Sequence, residues 1–144
     1  MSLLGSPFKD ARVQKEIRNL IMLSPYWSKI EAPLERKYKW FAPKEIVGLK
    51  PELVEKLDAA RELAGIPFVI TSGFRTGNHN AEVGGTENSS HTLGLAVDLR
   101  ARNSNEHFII TKALLDVGFT RISRKYPNHI HADISIDKPQ KVLF

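Results

Sequence analysis

Apolar positions recur at helical spacing in the first part of this chain and in short runs farther on. The helical spacing predicts three helices, over residues 10–23, 51–64 and 103–117. The short apolar or β-branched runs predict strands at 67–71, 95–100, 119–123, 130–136 and, at an edge, 142–144. This order of elements predicts an α+β fold, in which helices flank a small, mainly antiparallel sheet.

The chain has the length of a single domain. Its 144 residues fall within the usual size of one folded unit, and they contain no internal repeat. Within that unit, residues 1–40 are predicted to form an N-terminal helical arm packed on the core, and residues 41–144 the functional domain. Residues 72–90 are rich in Gly, Asn, Ser and Thr, which predicts a long loop with one helical turn near residues 80–83.

The composition limits the kinds of functional site and partner that the chain can have. The absence of cysteine excludes disulfides, thiolate metal sites and a cysteine nucleophile, so that a metal must be held by His, Asp or Glu. The net charge of +5 favours an anionic partner, such as nucleic acid, a membrane surface or an acidic cell-wall polymer. No apolar run is as long as a membrane span, and the N-terminus lacks the basic and apolar regions of a signal peptide.

Two of the predicted strands carry polar side chains on one face. Side chains alternate along a strand, so Asp98 points away from the core face that holds Val97 and Leu99. A carboxylate there needs a cation, hydrogen-bond donors or solvent. By the same alternation, His129 and His131 share one face of a later strand. If the two strands are neighbours, Asp98 meets one of these histidines, and the spacing does not choose between them.

A third candidate ligand precedes Asp98. His91 lies seven residues before it, across a turn at Gly94 where the chain can bend tightly. Three nitrogen and oxygen ligands with one open position form the arrangement of a catalytic zinc site, and zinc accepts imidazole and carboxylate without sulfur. The competing interpretation is that these side chains only hydrogen-bond one another.

Several motifs resemble those of one enzyme family. Residues 89–98 match the SxHxxGxAxD signature of the M15 zinc peptidases, which are D-alanyl-D-alanine carboxypeptidases and peptidoglycan endopeptidases of bacteria and phages. Residues 71–76 resemble their SGFR segment, and residues 129–131 resemble their HxH segment. The resemblance extends from about Phe41 to the C-terminus. It implies a hedgehog/D-Ala-D-Ala-peptidase-like fold and one zinc ion held by His91, Asp98 and His131.

The resemblance also implies roles for other residues. Arg75 matches an arginine that serves in substrate binding and oxyanion stabilisation, and Ser89 is a candidate for contact with substrate. The family places an acidic general base three positions before the last histidine, where this chain has Asn128. An amide does not accept a proton at neutral pH, so another group must do so. His129 is the better candidate, and Asp133 on the same face is the other.

The function implied is zinc-dependent hydrolysis of peptide bonds in bacterial peptidoglycan, by a D,D-carboxypeptidase or an endopeptidase, in the cell wall or periplasm. The alternative is a zinc-containing module without catalysis, which binds cell-wall peptide or stabilises a phage or envelope assembly. Hedgehog-type domains resemble this fold too, so a metal site does not guarantee peptidase activity. A nucleic-acid partner is not expected, because the motif region has no basic stripe interleaved with aromatic residues.

Overall fold

The computed structural model describes residues 10–22 and 37–144. Its α-helices are α1 (Ala11–Met22), α2 (Pro51–Ala64), α3 (Gly77–Glu82) and α4 (Ser104–Asp116). Its strands are β1 (Ile70–Ser72), β2 (Ala96–Arg100), β3 (Arg121–Ser123), β4 (His129–Asp133) and β5 (Val142–Leu143). Short 3-10 helices cover Pro43–Glu45 and Ser90–Leu93.

The chain divides into two units between residues 35 and 36. Helix α1 belongs to the first unit, and every other element named above belongs to the second. The predicted packing of residues 1–40 on the core mainly concerns residues outside the described ranges, so it stays a prediction. None of the described helices is both long and apolar enough to cross a bilayer.

The five strands form one sheet in the order β1-β2-β4-β3-β5. Adjacent strands are antiparallel except for β3 and β5, which run parallel at one edge. The α+β class and the mainly antiparallel sheet are therefore confirmed. The two strands with polar faces, β2 and β4, are neighbours, and their pairing over five residues forms the middle of the sheet.

Local sequence explains how the two long helices of this unit begin and end. Pro51 occupies the first turn of α2, where its missing N–H costs nothing, and Gly65 ends the helix in the left-handed region at φ 67°. Helix α4 begins after Asn103, whose side chain accepts a hydrogen bond of 2.9 Å from the Glu106 N–H. The two helices pack against each other.

Several predicted boundaries are wrong by two or three residues. Strand β1 covers Ile70–Ser72 rather than residues 67–71, with a register irregularity between its two ends, and strand β3 begins at Arg121 rather than residue 119. Strand β4 ends at Asp133 rather than residue 136, because the Asp133 side chain turns back to accept a hydrogen bond from the Ser135 N–H. The helical turn lies at Gly77–Glu82, where the Thr76 hydroxyl caps it, rather than at 80–83.

Candidate metal and catalytic site

The pairing of β2 with β4 brings Asp98 and His131 side by side. The two residues are partners in the antiparallel register, so their side chains lie on the same face of the sheet. Ser72 of β1 and Ser123 of β3 extend this register line on either side. We call Ser72, Asp98, His131 and Ser123 the polar row. On the opposite face, Val97 and Leu99 are fully buried in the core.

A tight loop places His91 above this row. The Ser89 hydroxyl accepts a hydrogen bond of 3.3 Å from the His91 N–H and starts the short 3-10 helix that carries the histidine. Gly94 ends that helix at φ 70°, in the left-handed region, and a Cβ there would collide with the Gly48 carbonyl oxygen. Only glycine fits this close approach, which fixes His91 relative to the segment before α2.

His91, Asp98 and His131 converge. One Asp98 carboxylate oxygen lies 3.3 Å from His91 Nε2 and 3.1 Å from His131 Nδ1. One donor atom from each residue lies within 4.8 Å of the others, and no other group of three such residues in the described ranges meets this test. Two imidazoles and one carboxylate with a free side suit a catalytic zinc ion.

The ring nitrogens that face away from Asp98 are also occupied, as they are in built metal sites. His91 Nδ1 lies 2.8 Å from the Gly73 carbonyl oxygen, and His131 Nε2 lies 2.8 Å from Asp133 Oδ2. These contacts fix the orientation of both rings. Asp133 is itself held by Arg121, whose Nε donates to its other oxygen over 2.8 Å. The residues therefore fit a divalent metal.

Hydrogen bonds within this group shift the pKa values of Asp98 and His131. Burial raises the pKa of Asp98, but hydrogen bonds from His131 and His91 outweigh it and hold that pKa well below its ordinary value. Burial lowers the pKa of His131, whereas hydrogen bonds to Asp133 and Asp98 raise it, and the net direction is upward. Because a histidine must be neutral to bind a metal, binding of the cation competes with protonation of His131.

Arg75 is held beside the same carboxylate. Its Nε donates to the Ser72 hydroxyl over 3.0 Å, and one terminal nitrogen lies 3.3 Å from Asp98 Oδ2. The other terminal nitrogen lies 3.5 Å from the amide oxygen of Asn80. Asn80 is buried and donates to the Thr86 carbonyl over 2.7 Å. The guanidinium is therefore fixed in orientation.

A cavity of about 340 Å³ opens onto these groups. Arg75, His91, Asp98, His129 and His131 all line it. The structure thus brings together the predicted metal ligands and both predicted catalytic residues. Ser89 is not among the lining residues, because its hydroxyl is engaged by the His91 backbone beneath the loop.

His129 lies on the face of β4 that carries His131. It is half-buried, and its ring stacks on Tyr126 with the ring centroids 4.4 Å apart. Asn128 is exposed, and its carbonyl accepts a backbone hydrogen bond from Ala101. His79, by contrast, is exposed and 3.6 Å from Glu82, and His107 contacts the Pro127 carbonyl. Neither of these two histidines lines the cavity.

Two residues of the site have contacts that the sequence does not predict. Asp133 is a candidate base by sequence, but it is buried and serves as the partner of His131 and Arg121. Ser123 is buried in the polar row, and its hydroxyl has no hydrogen-bond partner among the described residues. The alternation of polar residues in His131-Ala132-Asp133 could have indicated the role of Asp133. Ser123 needed the register of β3 on β4, which the sequence does not display.

A His-Asp-His group in a cavity on a mainly antiparallel sheet is an arrangement suited to a metal-dependent hydrolase. The family model described as peptidase M15 matches residues 28–133. The chain belongs to the peptidase M15 family.

Two relatives illustrate the similarity. The zinc D-Ala-D-Ala carboxypeptidase of Streptomyces albus G is 40% identical over 76 residues, which are 51% of this chain and 29% of that protein. The chain thus spans less than a third of that relative. The crystal structure of Serratia marcescens L-Ala D-Glu endopeptidase is 18% identical, has a TM-score of 0.51, and covers 65% of this chain and 86% of its own. At that identity, the second comparison supports the fold alone.

Proposed function

We propose that this chain is a zinc-dependent peptidase that hydrolyses peptide bonds in bacterial cell-wall peptidoglycan. The observation that carries the proposal is the convergence of His91, Asp98 and His131 at a cavity that Arg75 also lines. Membership of the M15 family and the zinc carboxypeptidase relative support the metal and the substrate class. The net charge of +5 favours approach to an anionic wall.

In this proposal, different residues of the chain bind the metal, orient the metal-binding rings and bind the substrate. A zinc ion bound here would supply a Lewis acid for the scissile carbonyl and would lower the pKa of water at the site. His91, Asp98 and His131 would hold the ion, and the Gly73 carbonyl and Asp133 keep the two imidazole rings in the required orientation. Arg75 supplies a fixed guanidinium that binds a substrate carboxylate or stabilises the developing oxyanion.

The reaction can be tested by mass spectrometry of muropeptides after incubation with the zinc-loaded chain. Loss of one terminal alanine from pentapeptide monomers would identify a carboxypeptidase, and conversion of cross-linked dimers to monomers would identify an endopeptidase. Either product should disappear with a chelator and return with added zinc. Unchanged muropeptides across pH 6–9 would contradict the proposal.

A second candidate function rests on Asn128, which stands where the family has its acidic base. Without a proton acceptor, the chain would be a zinc-containing module that binds cell-wall peptide, or part of a phage or envelope assembly, without cleaving it. The same incubation separates the two functions: retained binding of muropeptides with no cleavage favours the module.

We further propose His129 as the proton acceptor that replaces the missing acid. Its position two residues before His131 on one strand face, and its place in the cavity lining, support this role. We expect His129→Ala to lower kcat about 100-fold, the lower end of what general base catalysis contributes, with zinc content unchanged.

The matched control for this substitution is His79→Ala, which removes an exposed histidine outside the cavity. Adding Asn128→Asp to His129→Ala should recover part of kcat, because it restores a carboxylate at the family's usual position. Full activity of His129→Ala would exclude His129 as the base.

A further inference from the structure

A second cavity on residues 37–144 is larger than the one at the candidate metal site. It is a groove of about 920 Å³ between helix α4 and the residues that follow β3, compared with about 340 Å³ for the metal cavity. We call it the α4 groove and define it by Phe108, Thr111 and Leu115 of α4 with Arg124, Lys125 and Tyr126.

Helix α4 has apolar residues on two faces. Ile110, Ala113 and Leu114 are buried on the core side, as expected for a helix packed on α2 and the sheet. Phe108 and Leu115 line the groove instead and are 69% and 51% exposed. Large apolar side chains grouped on the surface and rimmed by polar residues mark sites of binding.

The groove also carries cations without partners. Lys112 forms an ion pair of 2.6 Å with Asp116, but the described residues place no carboxylate in an ion pair with Arg124 or Lys125. Lys125 instead lies 5.0 Å from the centre of the Tyr126 ring. Two exposed cationic side chains without an ion pair, beside an apolar floor, are complementary to an anionic ligand with apolar parts.

The groove lies next to the metal cavity. Lys125 and Tyr126 line both, and the Tyr126 ring stacks on His129. A ligand that leaves the metal cavity on this side would cross the shared wall into the α4 groove. Peptides of the cell wall carry free carboxylates and are longer than the metal cavity can hold.

We propose that the α4 groove is a second binding site, which takes the acidic peptide portion of peptidoglycan outside the reaction centre. The proposal rests on the proposed function, because it identifies the ligand as a part of the same substrate. Arg124 and Lys125 bind its carboxylates, and Phe108 and Leu115 pack against its apolar side chains.

The test compares Phe108→Ser/Arg124→Gln with the control Val47→Ser/Lys44→Gln. Val47 is 71% exposed and Lys44 is exposed, and neither lines the α4 groove or the metal cavity.

With soluble uncross-linked peptidoglycan chains as substrate, we expect the groove variant to have a KM about tenfold higher than the control at unchanged kcat, as loss of central contacts does. Its KM for a short acetylated peptide that contains only the bond identified in the muropeptide assay, and its thermal unfolding temperature, should match those of the control. Equal KM values of the groove variant and the control on the long substrate would overturn the proposal.

Co-sedimentation with isolated sacculi tests the groove apart from catalysis, so an inactive chain does not leave it undecided. The wild-type chain and the control should sediment with sacculi, and the groove variant about tenfold more weakly. Sacculi stripped of phosphate polymers with hydrofluoric acid should bind as well as untreated ones. Loss of binding after stripping would assign the groove to a phosphate polymer and overturn the acidic peptide, as would equal binding of variant and control.

Discussion

Replacing His131 with alanine is expected to abolish peptide hydrolysis and to remove bound zinc. His131 faces Asp98 through Nδ1 over 3.1 Å and is one of three residues that could hold the ion. Its loss leaves two ligands, which is fewer than catalytic zinc sites use. The folded state should survive, because His131 lies at the cavity and outside the hydrophobic core.

Metal analysis after zinc loading and gel filtration, together with the muropeptide assay, checks this result. The matched control is His79→Ala, which also removes one imidazole but leaves the cavity intact. Far-ultraviolet circular dichroism of the His131 variant should overlay that of the wild type. A His131→Ala protein that still bound one zinc ion and cleaved peptide would refute the assigned ligand set.

Replacing Asp133 with asparagine is expected to lower both stability and metal affinity. Asp133 is 1% exposed and accepts from Arg121, which is 7% exposed. Neutralising the carboxylate leaves a buried guanidinium without its counter-charge, a loss of about 3–5 kcal/mol in the free energy of unfolding. It also weakens the contact that orients His131, which costs about 10–100-fold in zinc affinity.

A double variant separates these two effects. Arg121→Met/Asp133→Leu removes both buried charges, so urea unfolding of the metal-free chain should recover most of the lost stability. Zinc affinity, measured by competition with a chromogenic chelator, should stay low, because His131 still lacks its partner. If zinc affinity recovered along with stability, Asp133 would affect zinc binding only through the stability of the folded chain.

Sequence patterns predicted much of the fold, for reasons visible in particular residues. Helix α2 has the predicted limits because Pro is favoured in the first turn of a helix, where Pro51 lies, and Gly just after its end, where Gly65 lies. The order of the strands could not be predicted in this way. Whether β2 pairs with β4 or with β3 depends on how the sheet packs against α2 and α4, and apolar alternation is the same in either case.

For the candidate site, too, some residues could be predicted from the sequence and others could not. His91, Asp98 and His131 lie in motifs of fixed spacing, and one strand face and one glycine turn suffice to suggest that they meet. The choice between His129 and His131 depended on the family resemblance. Asp133 and Tyr126 act through contacts across the fold, so their roles depend on side-chain directions that spacing does not give.

The polar row makes the central strand pair intolerant of changes in chain length. Adding or deleting one residue within β4 would reverse its two faces. Ile130 and Ala132, now fully buried, would then point into the cavity, and His131 would face the core. Such a change would destroy the apolar packing and the metal ligands together. Changes of chain length near this strand pair should therefore fall outside the strands themselves.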